Sequence, residues 1–193
     1  MKQQDILANI SDRDLLLNVY ASQGLMLVCA FIGGYFIFSS WSDILGLVFL
    51  DFWGIFVIGG GFAVLVVIVN ILLARWLPAH LLDDGGINRR IFRSLTLPQM
   101  LVLCTVVAIA EEVLFRAVIQ TGYGLITASL IFAFIHFRYI KKVVLFLSVL
   151  ILSFSLGLLF EWTGNILVTM FAHFLIDFLF GIMLQKNLLN SQA

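Results

Sequence analysis

Charge is what this chain has least of. Asp, Glu, Lys and Arg make up 11% of its 193 residues, against 62% hydrophobic residues, whereas soluble domains carry about 25% charged and about 45–50% apolar residues. So small a supply cannot cover a water-facing surface. A soluble globular domain is excluded, and the chain reads as an integral membrane protein whose first partner is the lipid bilayer. The formal net charge is zero, so the total says nothing about nucleic acid and the distribution of charges is what informs; no nucleic-acid partner is expected.

Cysteine is nearly absent too. Cys29 and Cys104 sit in apolar runs without a disulfide or metal spacing, and both read as small packing residues. No removable leader is expected: "MKQQDILANISDRDLLLNVY" interleaves acids with bases and lacks a small-residue cleavage site. Residues 1–19 read instead as a cytoplasmic, interfacial segment. There is no internal repeat. Glycine clusters such as Gly59–Gly61 lack the strand and Lys-Ser/Thr pattern of a phosphate loop and suit close helix packing.

What the chain does have is long apolar runs. A span needs about 20 mostly apolar residues, and six stretches qualify, near 20–39, 52–75, 97–119, 122–137, 143–160 and 164–184. The expected fold is an all-α polytopic bundle. A transmembrane pair occupies 20–77, a basic cytoplasmic loop 78–96, a four-helix catalytic core 97–184 and a cytoplasmic tail 185–193. Lys2, Arg13, Arg75, Arg89, Arg90, Arg93, Arg138, Lys141, Lys142 and Lys186 then all fall on one side, and the eleventh basic residue is Arg116. The positive-inside rule puts that side, with both termini, in the cytoplasm. A bacterial inner membrane is the expected location.

A few ionisable residues interrupt the apolar core: Glu111, Glu112, Arg116, His136, His173 and Asp177. A charged residue at a helix centre costs on the order of 2.5–3.5 kcal/mol on the insertion scale, so such residues turn inward and carry function. Glu112 and Arg116 are four apart, as are Phe132 and His136, and His173 and Asp177, so each pair shares a helix face. Three helices with polar faces avoid lipid by facing one another. Taken singly, Glu112 with Arg116 is a self-neutralising ion pair, and His173 with Asp177 an ordinary hydrogen-bonding pair.

In this order the motifs "EEVLFR" (111–116), Phe132 with His136 in "SLIFAFIHF", and "HFLID" (173–177) resemble the EExxxR, FxxxH and HxxxN/D motifs of the CAAX protease and bacteriocin-processing family, also called Abi. "EWTGNILVTMFAHF" is similar to that family's approach to its third motif. The resemblance covers roughly 97–184. It implies an intramembrane endopeptidase acting on a membrane-associated protein or peptide. Glu111 with His136 would activate water, and His173 with Asp177 would stabilise the oxyanion. Glu112, Arg116 and Phe132 would support the site. Asp177 stands where the eukaryotic CAAX proteases have asparagine; it either orients His173 through a ring N–H or acts as a protonated donor. A metal-free site is expected, since HExxH is absent. Zinc on Glu111, His136 and His173 is the alternative, these being ordinary zinc ligands.

Two other classes compete: a non-catalytic scaffold on the same fold, and a small proton-coupled transporter, for which the paired interrupted helices are lacking. A geometric difficulty also stands. Glu111 lies about 20 Å along its span at ~1.5 Å per residue, whereas His136 sits near the cytoplasmic end of the next. Strong tilt, a break near Gly122–Gly124, or a start beyond Pro98 would bring them level.

Overall fold

Ser11 opens the first long helix. Its side chain accepts from the backbone N–H of Asp14 at 3.1 Å, and Asp12 and Asp14 in the first turn suit the positive end of the helix dipole. The helix, α1, runs unbroken over Asp12–Ile37. Residues 12–19, expected as a separate interfacial piece, are therefore its first two turns. The computed structural model describes residues 10–188; Lys2 and the tail beyond 188 lie outside them.

A short α2 (Trp41–Leu45) follows, then α3 (Trp53–Trp76), whose first turns, Trp53–Gly59, are π-wound. The basic loop holds two short helices, α4 (Ala79–Leu82) and α5 (Ile87–Ser94). Next comes α6 (Leu97–Glu112), started by a capping box in which Gln99 Oε1 accepts from the Thr96 N–H at 2.8 Å. A π-wound segment (Val113–Gln120) continues it into α7 (Thr121–Ile135), and a 3₁₀ turn (Phe137–Tyr139) leads on. Two long helices, α8 (Val143–Thr163) and α9 (Ile166–Gln185), complete the bundle. Among the described residues there is no strand.

Four helices are long and apolar enough to cross a membrane: Asp12–Ile37, Trp53–Trp76, Val143–Thr163 and Ile166–Gln185. The expected spans 97–119 and 122–137 correspond to α6 with its π-wound continuation, and to α7. The outward faces are apolar, with Leu25, Phe31, Phe36, Leu65 and Ile151 all exposed, as befits a surface solvated by lipid. Cys29 faces outward and Cys104 is buried; neither is in a disulfide.

The two ends of the bundle differ in charge. At one, Arg90 pairs with Asp12, Arg138 with Asp84 at 3.5 Å, and Arg89 and Arg93 both donate to Asn187 Oδ1 at 2.8 and 2.7 Å. At the other, the start of α9 is tied to the segment after α2. Ile166 N–H donates to Leu47 O at 2.9 Å, and Asn165 Nδ2 to Phe49 O at 2.8 Å. Glu161 lies at that end and accepts from Gln120 Nε2 at 3.3 Å.

One glycine sets the fold of the middle. Gly124 has φ 84 and ψ 166, a region open essentially to glycine alone, and the chain doubles back there. Phe115, nine residues before it, meets Phe132, eight after it, edge to face at 4.9 Å. Glu111 stands thirteen before and His136 twelve after, so the reversal brings them to a common depth. Of the three devices that would level them, the break at Gly124 is present, and α6 starts at Leu97 rather than beyond Pro98.

Candidate active site

The α-helical hydrogen bonding of α6 widens just past Glu112, where the π-wound turns begin. Such wide turns redirect successive side chains and recur at functional sites. Here they leave Glu111, Glu112, Phe115 and Arg116 all buried. Arg116 Nε donates to Glu112 Oε2 at 3.3 Å, with both side chains fully buried. Its Nη2 donates to Ser153 Oγ at 3.2 Å, and its guanidinium lies over the Phe132 ring, 5.6 Å from the centroid.

His173 on α9 ties the adjacent glutamates together. Its Nδ1–H donates to Glu112 Oε1 at 2.9 Å, and its Nε2 lies 3.8 Å from Glu111 Oε2. Asp177, one turn further along α9, brings Oδ2 to 3.6 Å from the same Nε2. Both contacts to Nε2 exceed hydrogen-bond length, and a bound water or substrate atom could lie between. Asp177 is the most open of the four, with 31% of its side chain accessible. At ~1.5 Å per residue His173 is about 10 Å from the start of α9 and about 18 Å from its end. The cluster lies well inside the bundle.

His136 joins from the end of α7. Its Nδ1–H donates to Phe132 O at 2.8 Å, and its ring packs between Phe132 and Tyr139, at 4.8 and 6.1 Å between centroids. Because a carbonyl only accepts, the neutral ring carries its proton on Nδ1 and presents Nε2 as a base. Tyr139 is held in turn, its hydroxyl accepting from Arg138 Nη2 at 2.6 Å and Asn88 Nδ2 at 3.1 Å. His136 makes no direct polar contact with Glu111 or His173 among those observed.

The structure therefore brings Glu111, Glu112, His173 and Asp177 together and buttresses them with Arg116, Ser153 and Phe132. The carboxylate that hydrogen-bonds the His173 ring is that of Glu112, not Asp177. No three His, Cys, Asp or Glu side chains among the described residues are arranged to hold a metal ion.

Sequence reasoning missed Gln23 of α1. It is 4% exposed, and its Nε2 donates to Glu111 Oε1 at 3.3 Å. The signal was available, since Gln23 is an amide inside an otherwise apolar expected span. Gln23 carries no charge and lies outside the C-terminal unit, where the ionisable residues gather.

A family model described as type II CAAX prenyl endopeptidase Rce1-like matches residues 93–179. The chain belongs to the Rce1-like family. The matched region holds Glu111, Glu112, Arg116, Phe132, His136, Ser153, His173 and Asp177, whereas Gln23 comes from a helix outside it. Among curated proteins, the uncharacterized protein YpbD of Bacillus subtilis (strain 168) is 46% identical over 160 residues, 83% of this chain and 85% of that one. No solved structure matches. The family so described is one of CAAX-type membrane proteases, and this member is an integral membrane helix bundle.

Proposed function

We propose that the chain is an intramembrane endopeptidase that hydrolyses a peptide bond of a membrane-associated protein or peptide, with Glu111 and His136 activating the water. The observation that carries this reading is His173 held between two adjacent glutamates in the interior of an apolar bundle. A structural ion pair needs one carboxylate for Arg116, and Glu112 supplies it. Glu111 is left over, with one oxygen directed toward His173 Nε2 at 3.8 Å.

The chemistry follows from those positions. Glu111 Oε2, with the bare Nε2 of His136 at the same depth, takes a proton from water as its oxygen bonds to the scissile carbonyl carbon. The carbonyl oxygen becomes an oxyanion, and the Nε2–H of His173, an imidazolium whose Nδ1–H stays on Glu112, stabilises it. Glu112 holds the opposite ring nitrogen and so fixes the orientation of the imidazole. When the C–N bond breaks, the proton held by Glu111 goes to the leaving nitrogen, giving a carboxylic acid and an amine; the acid then loses its proton to water. No metal takes part in this reading. The basic end of the bundle is cytoplasmic, with six spans and both termini on that side in a bacterial inner membrane. Asp177, on the basic-end side of His173 along α9, gives the site its opening in that direction.

The test is cleavage of a farnesylated peptide ending in a CAAX sequence, and of an unprenylated transmembrane peptide, by purified protein in lipid nanodiscs. Wild type is expected to cleave at least one. Glu111→Gln keeps size and polarity and removes the basic oxygen, so it should abolish cleavage while leaving the protein folded. Chelators should leave the rate unchanged, and activity restored by added zinc would overturn the metal-free mechanism. Cleavage by Glu111→Gln at the wild-type rate would sink the assignment of the base.

A further inference from the structure

The buried stripe of α1 is Leu15, Gln23, Ala30 and Gly34. Three of these four are apolar or bare backbone, and they let α1 lie close against α6 and the π-wound segment. A Cβ on neighbouring Gly33 would come within 2.9 Å of Val118 Cγ1. Gln23 breaks the pattern. An amide buried in an apolar bundle costs free energy unless its donors and acceptor are bonded, and this one is only partly bonded. Its Nε2 donates to Glu111 Oε1 at 3.3 Å, while its own Oε1 is buried without a hydrogen-bond partner. The orientation of the amide follows from its neighbour, since an ionised carboxylate accepts only and the nitrogen must face it.

Glu111 thereby has its two oxygens divided. Oε1 is held by Gln23, and Oε2 faces His173 Nε2 at 3.8 Å. Holding one oxygen fixes the plane of the carboxylate and leaves the other for the reaction. The unpaired Gln23 Oε1 sits beside this arrangement. A peptide entering the bundle brings main-chain N–H groups that water no longer satisfies, and Gln23 offers them an acceptor.

We propose that Gln23, from a helix outside the family-matched region, is a positioning residue of the site: its Nε2 orients Glu111, and its Oε1 accepts a main-chain N–H of the substrate. This rests on Glu111 as the base that activates water. It makes α1 part of the active site rather than a membrane anchor appended to a four-helix core.

Two variants test it. Gln23→Met keeps length and removes both polar atoms; Gln23→Asn keeps the amide and withdraws it by one methylene. In nanodiscs, the carboxylate infrared band of Glu111 is assigned by its loss in Glu111→Gln. That band should shift in Gln23→Met and in Gln23→Asn, with the circular dichroism spectrum unchanged. In cleavage of whichever of the two peptides wild type cuts, Gln23→Met should lower kcat about tenfold and raise KM, as expected when an orienting contact and a substrate contact go together. Gln23→Asn should fall between Gln23→Met and wild type. An unshifted Glu111 band in both variants overturns the orienting role, and an unchanged KM overturns the substrate contact. If Glu111→Gln still cleaves, the base assignment fails by itself, and the infrared band still decides whether Gln23 holds Glu111.

Discussion

His173 Nδ1 lies 2.9 Å from Glu112 Oε1, and this contact gives Glu112 two partners, since Arg116 holds its other oxygen at 3.3 Å. The carboxylate links the ion pair to the reactive imidazole. In a hydrolase site, a carboxylate in this position sets the tautomer and orientation of the ring. Its replacement by an amide in a serine-protease triad costs about 10⁴ in kcat. Glu112→Gln should therefore lower kcat by at least about 10²-fold with an intact fold, measured in the nanodisc cleavage assay. A loss under about threefold would leave Glu112 as a partner of Arg116 alone.

The same link shapes what happens when Arg116 is removed. A buried pair stripped of one partner leaves an uncompensated charge, at a cost of about 3–5 kcal/mol. Arg116→Ala should lower the yield of folded protein in membranes, and Arg116→Ala with Glu112→Ala should recover part of it. Equal yields would mean that the two side chains are not coupled.

Gly124 carries the reversal that levels Glu111 with His136. A residue with a Cβ at φ 84, ψ 166 costs about 1–3 kcal/mol, and relief of that strain would draw α7 out of register. Gly124→Ala is expected to lower the melting temperature and to reduce cleavage by more than its stability loss explains. Normal activity together with normal melting would show that the backbone there tolerates a side chain.

That reversal also marks how far the sequence could be read. Apolar runs and polar interruptions mark the helices and the buried polar cluster, because burial rules act on composition and spacing alone. They left the depth of Glu111 relative to His136 open, since three devices would have served and a glycine in the chain does not declare its φ. The first helix starts at Asp12 because Ser11 caps it, a signal present in "SDRD" but outweighed by the polarity of the segment. The second partner of Glu112 and the part played by Gln23 depend on which helices pack together. Spacing within one helix carries no such information.

Topology has its own test. Lys141 and Glu161 bracket α8, at the basic and the acidic end of the bundle. In a background with Cys29 and Cys104 replaced by alanine, Lys141→Cys and Glu161→Cys should be labelled from opposite faces by a membrane-impermeant maleimide, with Lys141→Cys on the cytoplasmic side. Labelling of both from one face would defeat the six-span arrangement.

Asp177 stands where two chemistries diverge. Its Oδ2 is 3.6 Å from His173 Nε2, too far for a hydrogen bond, and Glu112 already orients that ring. What remains for Asp177 is either a donor to the oxyanion, which requires it protonated, or a fixed negative charge beside His173. An asparagine retains the first role, because its amide N–H occupies the position of the carboxyl O–H, and it loses the second. On the donor reading, Asp177→Asn should cleave within about tenfold of wild type, while Asp177→Ala should lose a factor of ~10²–10³, the usual cost of one oxyanion donor. If asparagine is as inactive as alanine, the negative charge is what the site requires. His173 would then be the sole donor from α9.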